Sequence, residues 1–242
     1  MAAAEEPAAA PPDAIAGARA LWCGSFHGVL STQSAAEPGY PFGSVVPLCL
    51  SNAGEPLLLL SHLAQHSRNL AVDPRAALTL FDAVDGDIQQ GRRLTCVGRC
   101  LPSADAEALA RWCRHYPSGR VYAEQLNFQL HRFEPLRCHY NGGFAQARWL
   151  GTDRLRAGIA HAAATEQALT RLLEDAHADR LAALAGADCA AVVPAGIDRL
   201  GITLRCGERL RRIDADAPIA DAASLRHCIE GAGRRPFGAE PA

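Results

Sequence analysis

Six short apolar runs, each cut off by a turn signal, constrain this chain more than any other feature. They are Phe26 to Thr32, Gly43 to Leu50, Pro56 to Ser61, Ala77 to Phe81, Arg92 to Leu101 and Phe128 to Cys138. Runs of this length, with Asn52-Ala53-Gly54 or Pro and Gly between them, read as sequential strands. Many short strands in succession, with only small helical insertions, expect a closed or nearly closed β-barrel. Closure removes the unpaired edges that such strands would otherwise expose. The Gly142-Gly143 pair marks a bend or a close backbone approach beyond the last run, where Cys138 to Phe144 reads as a final strand.

Helical segments punctuate this pattern. Asp13 can cap a helix that runs to about Gly24. Ala64 to Val72 reads as a short helix stopped by Asp73-Pro74, since the residue before a proline disfavours helix. Ala104 to His115 is a third helix, with Ser103 as its cap. Beyond Leu155 the composition turns Ala-rich. A helical period covers Gly158 to Ala185, then two strands, Ala190 to Pro194 and Gly201 to Cys206, around a turn at Gly196-Ile197-Asp198. A last helix covers Pro218 to Gly231. The organisation expected is a leader over 1–12, a barrel over 13–155, a small α/β unit over 156–235 and a tail over 236–242.

Charge and cysteine usage exclude several classes. The net charge is −2 and no basic run resembles a nucleic-acid patch. All 24 basic residues are arginine, so an anionic ligand must be met by Arg, His or backbone N–H. No window approaches 18 apolar residues, so no membrane span is expected. The N-terminal segment lacks the basic and apolar regions of a signal peptide. Nine cysteines without a C-x-x-C read as small apolar fillers in a reducing cytoplasm. The acids Asp82, Asp85 and Asp87 lack calcium-loop spacing and read as a solvated cluster. Strand faces carrying Val45, Leu48 and Leu58 are too apolar for a lone barrel, which points to a homodimer.

The chemistry concentrates between Pro41 and Gly98. His66-Ser67-Arg68-Asn69 is a polar segment among apolar runs, and Arg92-Arg93 opens another. A packed core does not need cations there, whereas an anionic and partly apolar small molecule does. Flavin mononucleotide and haem both have that character. Alternate residues of a strand face opposite ways, so only one of Arg92 and Arg93 can face inward.

The segments PFGSVVP, LLLLS, HSRNL, DPRAALTLF and RRLTCVG resemble the FMN-binding split barrel of pyridoxamine 5'-phosphate oxidase relatives. Within that group the chain is most similar to the HugZ-like haem-utilisation family. Its loop-plus-helix pattern matches Pro38 to Ser44 and Ser61 to Leu70, and its GGF-x-x-A-x-WL motif matches Gly142 to Leu150. The resemblance implies an α+β fold, a split β-barrel followed by a small α/β domain, in a homodimer with sites shared between subunits. It implies FMN or haem as cofactor. Ser44, Val45 and Val46 would lie along the ligand ring. Ser61, His66, Arg68 and Asn69 would surround its anionic tail, and Arg92, Arg93 and Arg148 would supply further cationic contacts.

Departures from the family pattern narrow the activity. Thr95 stands where the oxidases carry a second arginine, which argues against pyridoxamine-phosphate oxidation. Asp175 to Arg180 lacks both histidines of the relatives' helix start, and no histidine follows His227. If haem binds, His66 is the first choice of axial ligand, His177 the second, and the site is expected to suit flavin better. The functions left open are a flavin-dependent oxidoreductase, a haem-degrading oxygenase and a non-catalytic haem carrier or sensor.

Overall fold

The computed structural model describes residues 12–82, 87–143, 146–177, 179–181, 189 and 191–232. The chain divides into two compact units, and the division does not follow sequence order. The first holds residues up to 50, then 55–104 and 121–157; the second holds 51–54, 105–120 and the residues from 158 on.

The first unit is an antiparallel half-barrel. Its strands are β1 (His27–Gln33), β2 (Pro41–Pro47), β3 (Cys49–Leu50), β4 (Pro56–Ser61), β5 (Arg75–Phe81), β6 (Arg93–Pro102), β7 (Phe128–Asn141) and β8 (Ala147–Leu150). They are ordered β2-β1-β5-β6-β7-β4-β3, with β8 on β7. The alternation along β1, β5 and β6 sends Leu30, Leu78, Leu80, Leu94 and Cys96 inward, each fully buried. The long β7 continues through the segment expected to form a separate last strand, and that role passes to β8 in the GGF motif. Phe144 lies outside the described residues.

Helix α1 (Pro12–Gly24) buries Leu21 and Trp22, and α2 (Gln65–Val72) packs on β1 and β2. Gly17 lies against the Tyr140 ring, where a Cβ would fall 2.8 Å from Cζ, so this approach needs a residue without a side chain. Leu48 and Leu58 are fully buried inside the unit, so they do not form the apolar outer face expected of them; Val45 is 76% exposed.

Cysteine pairing also departs from expectation. Cys96 and Cys138 sit directly opposite one another on β6 and β7 and are joined as a disulfide, and Cys189 is joined to Cys206. Cys100, two pleats along β6 from Cys96, stays a free thiol pushed up to about 12 by burial. The filler reading therefore holds for Cys23, Cys49, Cys100 and Cys228, all buried and outside the disulfides, and fails for the four bonded ones.

The second unit combines α3 (Ala106–His115), α6 (Ala163–Ala176) and α7 (Ala222–Ala232) with a three-stranded antiparallel sheet. Its strands are β9 (Val192–Asp198), β10 (Gly201–Cys206) and β11 (Arg209–Asp214). Asp105 rather than Ser103 caps α3, its carboxylate accepting from Glu107 and Ala108 N–H. Short helices α4 (Gly119–Gln125) and α5 (Thr152–Arg156) precede and follow β7 and β8 in the sequence. Gly196 to Asp198 lie within β9, and Leu169, Leu173, Ile197, Ile202, Leu204 and Leu225 form the core.

An ionic hub sits beneath that core. The Glu166 carboxylate, 2% exposed, accepts from the Arg111 guanidinium, from Ile197 N–H at 3.1 Å and from Asn52 Nδ2 at 2.6 Å. Arg114 adds a second cation at 3.4 Å. Beside it His115, 3% exposed, directs Nδ1 at the Arg111 carbonyl, 2.9 Å away. Burial and then the Arg111 charge pull the His115 pKa down to about 3 from the ordinary 6.5. The folded state therefore holds this imidazole neutral while the unfolded chain protonates it. Stability is full above pH 6.5 and falls as pH drops toward 3, by about 1.4 kcal/mol per unit. Denaturation curves at pH 7.5, 6.0 and 5.0 should show this loss, and His115→Phe should flatten it. An unchanged slope in that variant would remove His115 as the cause.

Candidate functional site

The expected site residues separate into three groups. Ser44, Ser61 and His66 come together where β2 and β4 meet α2. Ser61 ends β4, and its carbonyl accepts from Ala64 N–H at 3.1 Å, turning the chain into the helix. His66 Nδ1 then lies 3.1 Å from Ser44 Oγ. Its Nε2 is buried without a hydrogen-bond partner. Burial first, and then neighbouring His131, hold the His66 pKa below its ordinary value. The imidazole is thus neutral with one nitrogen engaged. With Nε2 enclosed, His66 presents no exposed nitrogen on that side for the axial-ligand role expected of it. Val46 is buried and Val45 points the other way.

A second group is committed internally. Asn69 is fully buried: its Oδ1 accepts from Ala35 N–H at 3.0 Å and Gln65 Nε2 at 2.8 Å, and its Nδ2 donates to Thr32 Oγ1 at 2.9 Å. These bonds position α2 on β1. Arg92 forks onto Asp82, with Nε 2.6 Å from Oδ2. Arg93 closes the 3-10 turn Ile88–Gln90, donating to the carbonyls of Ile88 and Gln89, both at 3.2 Å. Arg92 is thus tied to Asp82 and Arg93 to the turn ahead of β6. Asp87 caps the same turn through Gln89 N–H. In the third group, Arg68 on α2 and Arg148 on β8 are exposed cations. His177 lies at the end of α6 in the second unit.

The outward face of the barrel sheet carries an arrangement that the sequence did not disclose. Register places Val45, Val29, Thr79, Thr95, His139 and Trp149 in one row across β2, β1, β5, β6, β7 and β8. Thr79 and Thr95 share a hydrogen bond at 3.0 Å. His139 meets the edge of Trp149 at 5.0 Å between ring centroids, and the Arg137 guanidinium lies 4.4 Å over the indole. Such a cation over a Trp face fixes the ring orientation. The row is an outward platform of two valines and two threonines that ends in an imidazole and an aromatic ring with a cation over it.

A bulge creates this platform. The β6–β7 register shifts between Val97 and Gly98, so Leu136 has no partner and stands 79% exposed. Strict alternation from the buried His131 and Phe133 would turn His139 into the barrel. The extra residue reverses the parity, burying Cys138 and Tyr140 and turning Arg137 and His139 outward. Period-two reading fails at such a point, and Pro135 was the one signal that could have marked it.

An antiparallel half-barrel sheet with short helices between its strands defines a split-barrel fold. Residues 18–141, just over half of the chain, match the family described as pyridoxamine 5'-phosphate oxidase, and the chain belongs to that family. It is 33% identical over 132 residues to a non-canonical haem oxygenase of Arabidopsis thaliana chloroplasts. That match covers 53% of this chain and 40% of the relative, so the chain spans less than half of that protein. A solved protein of unknown function from Agrobacterium tumefaciens is 26% identical with a TM-score of 0.75, covering 93% of this chain and 97% of that one. A haem-binding protein from Mycobacterium smegmatis is also 26% identical, with a TM-score of 0.55, covering 93% and 98%. These relatives bear out the resemblance to the HugZ-like branch. No helix among the described residues is long and apolar enough to cross a membrane.

Proposed function

We propose that this chain is a haem-utilisation protein that binds haem on the outward face of its barrel, between two copies of itself. The observation that carries the reading is the platform row ending in His139 and Trp149. A planar, partly apolar macrocycle can lie along a row of valines and threonines, and neutral imidazole is the usual nitrogen ligand of haem iron. The haem oxygenase and haem-binding relatives support it. His139 is the candidate ligand. Arg137 positions the Trp149 ring that packs against it. Val29, Val45, Thr79 and Thr95 exclude water from one side, and the partner copy excludes it from the other. Bound haem would supply oxygen chemistry, and a haem-degrading activity is the catalytic form of this reading.

Haemin titration tests it. The expected result is a one-to-one Soret shift per subunit, weakened at least tenfold by His139→Ala and unchanged by His66→Ala. Light scattering should show a dimer. A diffuse haemin titration alongside stoichiometric FMN uptake that Arg68→Ala abolishes would replace haem by flavin, with the phosphate at the turn into α2. A monomer at micromolar concentration would remove the shared site.

A further inference from the structure

Two rows along from the platform, the outward face becomes charged. Arg75 on β5 and Arg99 on β6 are directly opposite, and Glu134 on β7 is opposite Arg99. These three line a groove of about 680 Å³ with Ser31, Gln33, Pro41, Ala77, Val97, Pro135 and Leu136. Ala77 and Val97 belong to the row between the groove and the platform, so the two surfaces are continuous. The volume is that of a small-molecule site.

Like charges directly opposite on neighbouring strands repel. The local carboxylates answer only Arg75 directly. Asp73 takes Arg75 in a fork, with Nε 2.9 Å from Oδ2, and this bond holds the Asp73 pKa down at about 2. Glu134 accepts from Arg132 at 2.5 Å. Arg99 has no hydrogen bond or ion pair among the described residues and is exposed over the groove. The backbone there is also irregular. A Cβ on Gly98 would lie 2.1 Å from the Glu134 carbonyl oxygen, so β6 and β7 close together only because residue 98 is glycine. Pro135, opposite Gly98, has no N–H to give the ladder. The bulged Leu136 forms an apolar wall beside it.

We propose that this groove is the seat for the acid group of an amphipathic ligand lying on the platform, with Arg99 as the cation that holds a carboxylate. This rests on the haem reading for the ligand's identity but not for the chemistry of the seat. A guanidinium forks onto a carboxylate and discriminates against its ester, which lacks the charge. The apolar body of the ligand would run over Val97 and Ala77 toward Thr79 and Thr95.

Metal-free protoporphyrin IX and its dimethyl ester separate the seat from the iron ligand. Binding to the full chain is followed by quenching of tryptophan fluorescence. The wild type should bind the diacid about tenfold more tightly than the diester, and Arg99→Gln should bind the two alike. An acid-over-ester preference that survives in Arg99→Gln overturns the seat, as does a failure of the diacid to bind. If protoporphyrin binds with the Arg99-dependent preference while haemin gives no Soret shift, the seat stands and His139 ligation falls. If haemin binds through His139 while the preference ignores Arg99, the haem reading stands and the seat is lost.

Discussion

Replacing Glu166 by alanine is expected to unfold the second unit or bring it close to unfolding. The substitution removes a carboxylate that meets two guanidiniums, the Asn52 amide and the Ile197 N–H. Arg111, with a side chain only 4% exposed, would lose the carboxylate that neutralises it. Breaking a buried pair from one side costs about 3–5 kcal/mol. A whole domain holds only about 5–15 kcal/mol, so this single change threatens the unit. Glu166→Gln should cost less, because its amide oxygen still accepts from Ile197 N–H. Urea denaturation of both variants measures the effect. A loss under about 1 kcal/mol in the alanine variant would mean that water replaces the carboxylate, and the hub would not be dry.

Asn69→Ala should destabilise the barrel by about 2–4 kcal/mol, since each orphaned buried polar group costs about 1–3 kcal/mol. The Ala35 N–H and Gln65 amide lose their acceptor, and Thr32 Oγ1 loses a donor while keeping the Phe42 carbonyl at 3.3 Å. The helix would loosen on β1, and the His66–Ser44 contact would loosen with it. Thermal denaturation reads the first effect and imidazole NMR of His66 the second. If stability holds and only ligand affinity falls, Asn69 is a ligand contact and the positioning role is wrong.

Elements bounded by strong local signals were legible in the sequence. Pro56–Ser61 and Gly201–Cys206 are strands over the expected residues. The stop at Asp73-Pro74 ends α2 because proline restricts the residue before it. The meeting of Ser44, Ser61 and His66 was also readable, since the loop-plus-helix pattern keeps them together. What stayed hidden depends on pairing across strands. Arg92 and Arg93 looked like site cations because nothing local announces that Asp82 and the Ile88 turn receive them. The Cys96–Cys138 bond requires the β6–β7 register, which spacing along one strand cannot supply. The outward placement of His139 was hidden for a related reason: one extra residue at Leu136 reverses which face every later side chain takes.

The threading of the chain between its two units has a consequence for how such proteins are made and shuffled. Residues 51–54 and 105–120 are contributed to the second unit from within the barrel's sequence. During synthesis, Arg111 and His115 leave the ribosome roughly fifty residues ahead of Glu166 (the N-terminal part of a chain emerges first). The barrel's segments therefore appear while α3 still lacks its anion, and a chaperone has a defined interval in which to act. The same threading bears on inheritance. A recombination event that moved the C-terminal half onto another barrel would leave behind the helix and the turn that complete it. Functional chimaeras between relatives would have to exchange three separate stretches at once.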